Sequence, residues 1–215
     1  MDGPLGFPSV FDASIDASEA VSGSQILQEA RMAKLKLQMQ ISVDGFDPEG
    51  RDQNNSWDEE RDYSHELLES ADTIVLGRKT AVDFIPYWDK AAEEAANSWQ
   101  DVARQISQAR KVVFSSSSDH PGWSNSTIET GDLAEAINGL KRENTRDIIV
   151  YGGVSFVESL ISRQLIDEFH LFVNPVVLGS GRSVFSDLPD LLRLELKKSI
   201  GFSSGRVLLH YDLRR

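Results

Sequence analysis

The chain has 215 residues, 34 of them Asp or Glu and 22 Lys or Arg, for a net charge of −12, and 40% are hydrophobic. That length holds one domain with a sizeable core, and the acidic balance argues against a nucleic-acid or anionic-membrane partner, which clustered Lys and Arg would bind. The absence of cysteine excludes disulfides, thiolate metal sites and a cysteine nucleophile, and no run of 18 apolar residues is present to span a bilayer.

The start Met1-Asp-Gly-Pro-Leu-Gly lacks the basic and apolar regions of a secretory signal, so the cytoplasm is the expected compartment. Residues 2–30 are rich in Ser, Ala, Gly and Asp, show no period of 2 or 3.6 and carry no base before Arg31. Such a stretch buries too little apolar surface to offset its ordering entropy. Residues 1–31 are therefore read as a disordered leader or a vector-derived extension, and residues 32–215 as the folded domain. Leu35, Leu37, Met39, Ile41 and Val43 alternate with polar residues, the period of a strand. Asp44-Gly45 ends it, and the polar residues 47–56, with Pro48 and Gly50, read as a mobile loop. A helix opens at Asp58 with an acidic first turn and an apolar stripe of Tyr63, Leu67, Leu68 and Ala71.

Residues 73–77 and 111–114 are short apolar runs, as expected of strands covered on both faces, with residues 91–108 between them read as one helix. Residues 133–140 read as helical. Residues 147–151 form a third buried strand ending in Gly152-Gly153, and a helix follows over about 155–162. Residues 167–178 are strand-like, and residues 195–202 and 206–213 flank Ser203-Ser-Gly205 as a hairpin. The order predicts an α/β fold: a three-layer αβα sandwich with a mixed, mostly parallel central sheet and antiparallel C-terminal strands.

Three buried strands end in turns of small or donor-bearing residues: Gly77-Arg78-Lys79-Thr80, Ser115-Ser116 and Gly152-Gly153-Val154-Ser155. Ligands of open α/β sheets gather outside the carboxyl ends of the strands. Glycine lets backbone approach a ligand closely, and helices starting at Arg78 and near Val154 would aim free N–H groups at an anion. Arg78, Lys79, Ser115 and Ser116 add donors suited to a phosphate monoester. Each turn alone is an ordinary connection; their common topological position points to a phosphorylated cofactor across the sheet edge. Gly-x-Gly-x-x-Gly is not met, since Val184 stands where the third glycine is needed after Gly179-Ser-Gly181. The Walker pattern fails at Asp72 and Arg78, and no Gly-x-Ser-x-Gly elbow exists. His65, His120, His170 and His210 are far apart without ligand spacing, so no metal is expected.

In order along the chain, Met39-Gln-Ile-Ser-Val-Asp-Gly-Phe46, Ala71-Asp-Thr-Ile-Val-Leu-Gly-Arg-Lys-Thr80, Lys111-Val-Val-Phe-Ser-Ser116, Ile149-Val-Tyr-Gly-Gly153, Leu165-Ile-Asp-Glu168 and Asn174-Pro-Val-Val-Leu-Gly-Ser-Gly181 resemble the dihydrofolate reductase superfamily. The branch most resembled is the reductase domain of riboflavin biosynthesis with its stand-alone relatives. The resemblance implies NADPH as cofactor. Gly77, Arg78, Lys79 and Thr80 would hold the pyrophosphate and help read the 2′-phosphate, with Ser115 and Ser116 completing that pocket. Gly152-Gly153 often carries a cis peptide in the family, and its following helix, opening with Val154, Ser155 and Phe156, would cap the pyrophosphate. Met39, Gln40 and Tyr151 would line the nicotinamide pocket, and Asp44, Trp57 and Phe84 the substrate side, under a lid over residues 44–57.

Folate-reducing members place a carboxylate five residues after a tryptophan. Trp57 and Asp62 have that spacing, making Asp62 a candidate proton relay or substrate anchor; the alternative is an exposed acid among Asp58, Glu59, Glu60 and Asp62. The Pro-Trp-x-Leu-Pro stretch of true dihydrofolate reductases and the zinc deaminase half of the bifunctional riboflavin enzyme are both absent. The resemblance thus implies an NADPH-dependent reductase of a pteridine- or pyrimidine-like heterocycle, like the 5-amino-6-(5-phosphoribosylamino)uracil reductases. The alternatives are a true dihydrofolate reductase or a non-catalytic NADPH-binding domain. Relatives in this branch are often dimers, so a homodimer is expected.

Overall fold

The structure is a computed structural model that describes residues 32–48, 58–186 and 188–214. The expectations for residues 1–31, for Trp57 and for most of the loop read as a mobile lid (49–57) lie outside the described residues. The strands are β1 (Leu35–Ser42), β2 (Ala71–Gly77), β3 (Arg110–Phe114), β4 (Ser126–Glu129), β5 (Asp147–Tyr151), β6 (Glu168–Asn174), β7 (Leu194–Gly201) and β8 (Val207–Leu213). The helices are α1 (Asp58–Glu69), α2 (Arg78–Glu93), α3 (Gln100–Gln108), α4 (Leu133–Glu143) and α5 (Val154–Ser162).

The sheet order is β4-β3-β2-β5-β1-β6-β8-β7. The six strands from β4 to β6 pair in parallel, and β8 and β7 follow antiparallel. Adjacent side chains point to opposite faces and sort the core into two layers. Val75, Val112, Ile148 and Val150 face α4 and α5, while Ile74, Val113 and Ile149 face α1, α2 and α3. This is the expected three-layer αβα sandwich.

Three elements depart from the expectations. Residues 91–108 are not one helix: α2 runs to Glu93 and α3 starts at Gln100. Asn97 causes the break, because its Oδ1 accepts from Trp99 N at 2.9 Å, an Asx turn that competes with helical bonding. β4 is a four-residue edge strand too short and polar to signal itself. β6 stops at Asn174, short of residue 178, where Pro175 removes the next donor.

β1 carries the most consequence. Its alternation suggests one wet face, yet it is covered on both, with burial almost throughout. Its polar residues meet polar partners: Lys36 Nζ lies 2.8 Å from Asp147 Oδ2, and Gln38 Nε2 donates to Ser64 Oγ of α1 at 2.6 Å. The layer between β1 and α1 is thus a buried polar seam. Among the described residues no helix is long and apolar enough to cross a membrane.

Asp132 caps α4, accepting from Ala134 N at 2.9 Å and Glu135 N at 3.0 Å. Asp132→Ala is expected to lower unfolding free energy by about 1 kcal/mol, read as a lower urea midpoint at unchanged m-value; an unchanged midpoint would contradict the cap.

Candidate active site

β2 lies between β3 and β5, all parallel, so their carboxyl ends emerge on one rim. Gly77 pairs with Phe114, which sets the first two turns side by side. Helices α2 and α5 begin at this rim, and neither has a side-chain cap on its first amides. Those N–H groups are left for an anion. A Cβ on Gly153 would stand 2.7 Å from Thr80 Oγ1, and one on Gly77 would stand 3.0 Å from Phe156 Cβ. Gly152 and Gly153 take φ of 46° and 44°, which favours glycine. No described peptide bond is cis, so the cis step implied at Gly152-Gly153 is not present.

The rim carries the expected donors. Lys79, Ser116 and Ser155 are exposed, Arg78 and Ser115 half-buried, and Val154 buried in the core. Ser115 Oγ accepts from Ser117 N at 3.0 Å, which folds the serine turn back on itself. Phe156 packs on Phe114 with ring centroids 5.3 Å apart. Across the sheet, Phe84 stacks on Tyr151 at 5.4 Å. The Tyr151 hydroxyl is buried with no hydrogen-bond partner among the described residues, and burial pushes its pKa up.

The acid buried against β1 is not the one the spacing indicated. Asp62 points to solvent, its side chain 81% exposed and paired with Arg61. Glu60 is 2% exposed. It accepts from Gln40 Nε2 of β1 and from Arg206 Nη1 of β8's leading turn, both at 2.7 Å. Burial pushes the Glu60 carboxyl up to about 7, against the pull of Gln40 and Arg206. Beside it, Asn174 Nδ2 donates to Gln40 Oε1 at 3.3 Å. The acceptors Gln38 Oε1 and Asn174 Oδ1 are buried with no partner among the described residues. Met39 faces the opposite way, into the core under α5. Asp44 ties the end of β1 to the loop after β6, accepting from Ser42 Oγ at 2.6 Å, Gly179 N at 2.7 Å and Leu178 N at 3.1 Å. The Ser42 hydroxyl first, with the two amides, holds its carboxyl at about 2. Both its oxygens thus bond within the protein, while the side chain stays exposed.

An open cleft of about 480 Å³ lies at the opposite rim against Ala71, Asp72, Thr73 and Arg146, away from the glycine turns.

Residues 33–208 match the family model described as the RibD C-terminal domain. The chain belongs to the RibD C-terminal domain family. It is 30% identical to the uncharacterized protein YyaP of Bacillus subtilis over 84% of this chain and 95% of that one. It is 25% identical to the riboflavin biosynthesis protein RibD of Corynebacterium ammoniagenes over 74% of this chain and 48% of that protein, so it spans about half of that relative. Among solved structures, a putative riboflavin biosynthesis protein of Shewanella sp. PV-4 superposes with a TM-score of 0.63 at 22% identity, covering 86% of this chain and all of the other. Dihydrofolate reductase of Enterococcus faecalis, solved with NADP(H), superposes at 0.53 and 12% identity over 85% of this chain and 97% of that one, a likeness of fold.

This RibD C-terminal domain also brings together residues that are distant in sequence. His170 and His210 face each other across β6 and β8, stacked with ring centroids 4.2 Å apart, which corrects the reading of the histidines as isolated. Their ligand atoms and that of Glu168 lie within 4.8 Å of one another. Lysines already serve that carboxylate: Lys34 Nζ is 2.6 Å and Lys36 Nζ 3.6 Å away. Burial opposes the Glu168 charge, but His170 and the two lysines hold its pKa far below the usual range; burial pushes both histidines down. Tyr63 OH reaches His170 Nδ1 at 2.6 Å and so hangs α1 on this network. The signal for Glu60 was in the sequence: Glu60, Tyr63 and Leu67 continue the inward stripe at helical spacing.

With a folded pKa of about 7 against an ordinary 4.5, Glu60 holds a proton that the unfolded chain has lost between those values. Its contribution is complete below about pH 4.5 and is lost as pH rises through 7, an effect of order 3 kcal/mol. Relative to Glu60→Gln, the wild-type chain should therefore lose that much unfolding free energy between pH 4.5 and 8. Parallel stability profiles would contradict it.

Proposed function

We propose that this chain is an NADPH-dependent reductase of a pteridine- or pyrimidine-like heterocycle. The observation that carries the reading is the buried Glu60 carboxyl at the carboxyl end of β1, on the same edge of the sheet as three turns built for phosphate. The uncapped first turns of α2 and α5 fit a pyrophosphate, and Arg78 with Ser115 and Ser116 fits a 2′-phosphate. Bound there, NADPH supplies the hydride.

The chain's own residues then have three tasks. Glu60, pushed up to about 7 by burial, is partly protonated near neutral pH and can pass that proton to a ring nitrogen as that atom gains charge. Arg206 and Gln40 fix the carboxyl so that it does not swing away from the seam. Gln38 Oε1 and Asn174 Oδ1, acceptors without donors among the described residues, suit the N–H groups on the edge of an amino-substituted heterocycle. Two structural relatives point the same way: the riboflavin biosynthesis reductase Rib7 of yeast, and a Thermotoga maritima diaminohydroxyphosphoribosylaminopyrimidine deaminase/5-amino-6-(5-phosphoribosylamino)uracil reductase, of which the match covers 57%.

Two measurements test the proposal. NADPH oxidation against a panel of pyrimidines, pterins and dihydrofolate should show turnover with at least one, and Glu60→Gln should cut kcat at least about a hundredfold, whereas Asp62→Asn should leave it unchanged. Arg78→Ala should weaken NADPH by about tenfold or more and NADH by far less. Turnover unaffected by Glu60→Gln, or equal losses for both cofactors, would refute the respective assignment.

A further inference from the structure

The loop between β3 and β4 contains a bonded chain that ends on Arg78. The Arg78 guanidinium lies over the Trp123 ring, 5.1 Å from its centroid, and Nη1 donates to the Asp119 carbonyl at 2.6 Å. Trp123 is half-buried against the core layer under α1, α2 and α3, and its carbonyl accepts from Ser126 Oγ at 2.9 Å. His120 braces the turn that presents this ring. Gly122 N donates to His120 Nδ1 at 3.0 Å, and His120 Nε2 lies 3.0 Å from the Ser126 carbonyl. An acceptor at Nδ1 and a donor at Nε2 define one neutral tautomer, so the ring works as a two-ended strut. Gly122 makes the bend possible at a φ of 80°. At the other end, Ser117 Oγ accepts from Asp119 N at 3.2 Å, and this joins the strut to the serine turn.

We propose that Trp123 and His120 are positioning residues that set the preference for NADPH over NADH, Trp123 as the platform for the Arg78 guanidinium and His120 as the brace of that platform. The inference rests on the reading of Arg78 as the 2′-phosphate reader. A free arginine samples many rotamers and must be ordered when phosphate arrives. Here an aromatic face and a carbonyl order it beforehand, with Nε and Nη2 left to meet a phosphate. NADH has a hydroxyl where NADPH has the phosphate, so it gains nothing from a guanidinium held in place. The platform should therefore act on the ratio of the two affinities rather than on dinucleotide binding in general.

The test is titration of the full chain with NADPH and with NADH, alongside thermal unfolding of each variant. Trp123→Leu should raise the NADPH Kd about fivefold or more while the NADH Kd moves less than about twofold. Trp123→Phe, which keeps a π face, should retain the wild-type ratio within about twofold. His120→Leu should lose selectivity, and His120→Asn, which restores an acceptor for Gly122 N–H, should recover part of it; this pair gives the same comparison without altering the platform ring. Equal weakening of both cofactors by Trp123→Leu, or no change in either, would overturn the assignment while leaving a wild-type NADPH preference intact. A wild-type chain that binds neither cofactor would overturn the reductase reading itself, and this one with it.

Discussion

Parallel pairing of β3, β2 and β5 is the constraint from which the rest of this structure follows. Parallel neighbours cannot be joined by tight hairpins, so each connection must cross back over a face and each strand must leave the sheet at the same edge. Three turns of unrelated sequence are thereby brought to one rim. There the two helices that begin on it add amides without side-chain caps. No residue of these turns is unusual by itself. They become a candidate phosphate site by being neighbours, in a chain whose net charge of −12 disfavours a polyphosphate elsewhere.

The second half of the site depends on a polar seam inside the fold. Lys36, Gln38 and Gln40 occupy one face of a central strand, where an apolar row would pack with less desolvation cost. Each meets a partner: Lys36 meets Asp147, Gln38 meets Ser64 and Gln40 meets Glu60, while Arg206 reaches Glu60 from the C-terminal hairpin. Glu59 holds the tip of that hairpin, accepting from Ser203 Oγ at 2.6 Å and Ser204 N at 3.1 Å. The first turn of α1 therefore grips the hairpin with one glutamate and faces the seam with the next. A buried carboxyl raised toward neutrality is an expensive feature for stability and a useful one for moving a proton.

What the sequence made legible was local. Apolar runs located the parallel strands, glycines located the turns and the resemblance joined them in order, because strand period and turn chemistry act over a few residues. Asp62 and Glu60 show where that reading stopped. Both lie in the first turn and a half of α1, but only the inward phase of Tyr63 and Leu67 decides which one faces β1, and a spacing from Trp57 carries no phase. Arg206 and the His170–His210 pair were out of reach for a different reason. Each depends on the pairing of β6, β8 and β7, set by register across tens of residues of sequence. The partners of Asp44 were hidden because loops seldom announce their hydrogen bonds; the amides that hold it are 134 and 135 residues away.

The claim on which the whole account turns is that a phosphorylated dinucleotide occupies the edge of the sheet where Gly77, Ser115 and Gly152 emerge. Hydrogen–deuterium exchange of the full chain, with and without saturating NADPH, addresses it directly. The account predicts slowed exchange at residues 77–80, 115–117 and 152–156 together, and little change around Ala71, Asp72 and Arg146 at the opposite edge. Protection at that opposite edge, or none anywhere at a cofactor concentration that saturates binding, would contradict it.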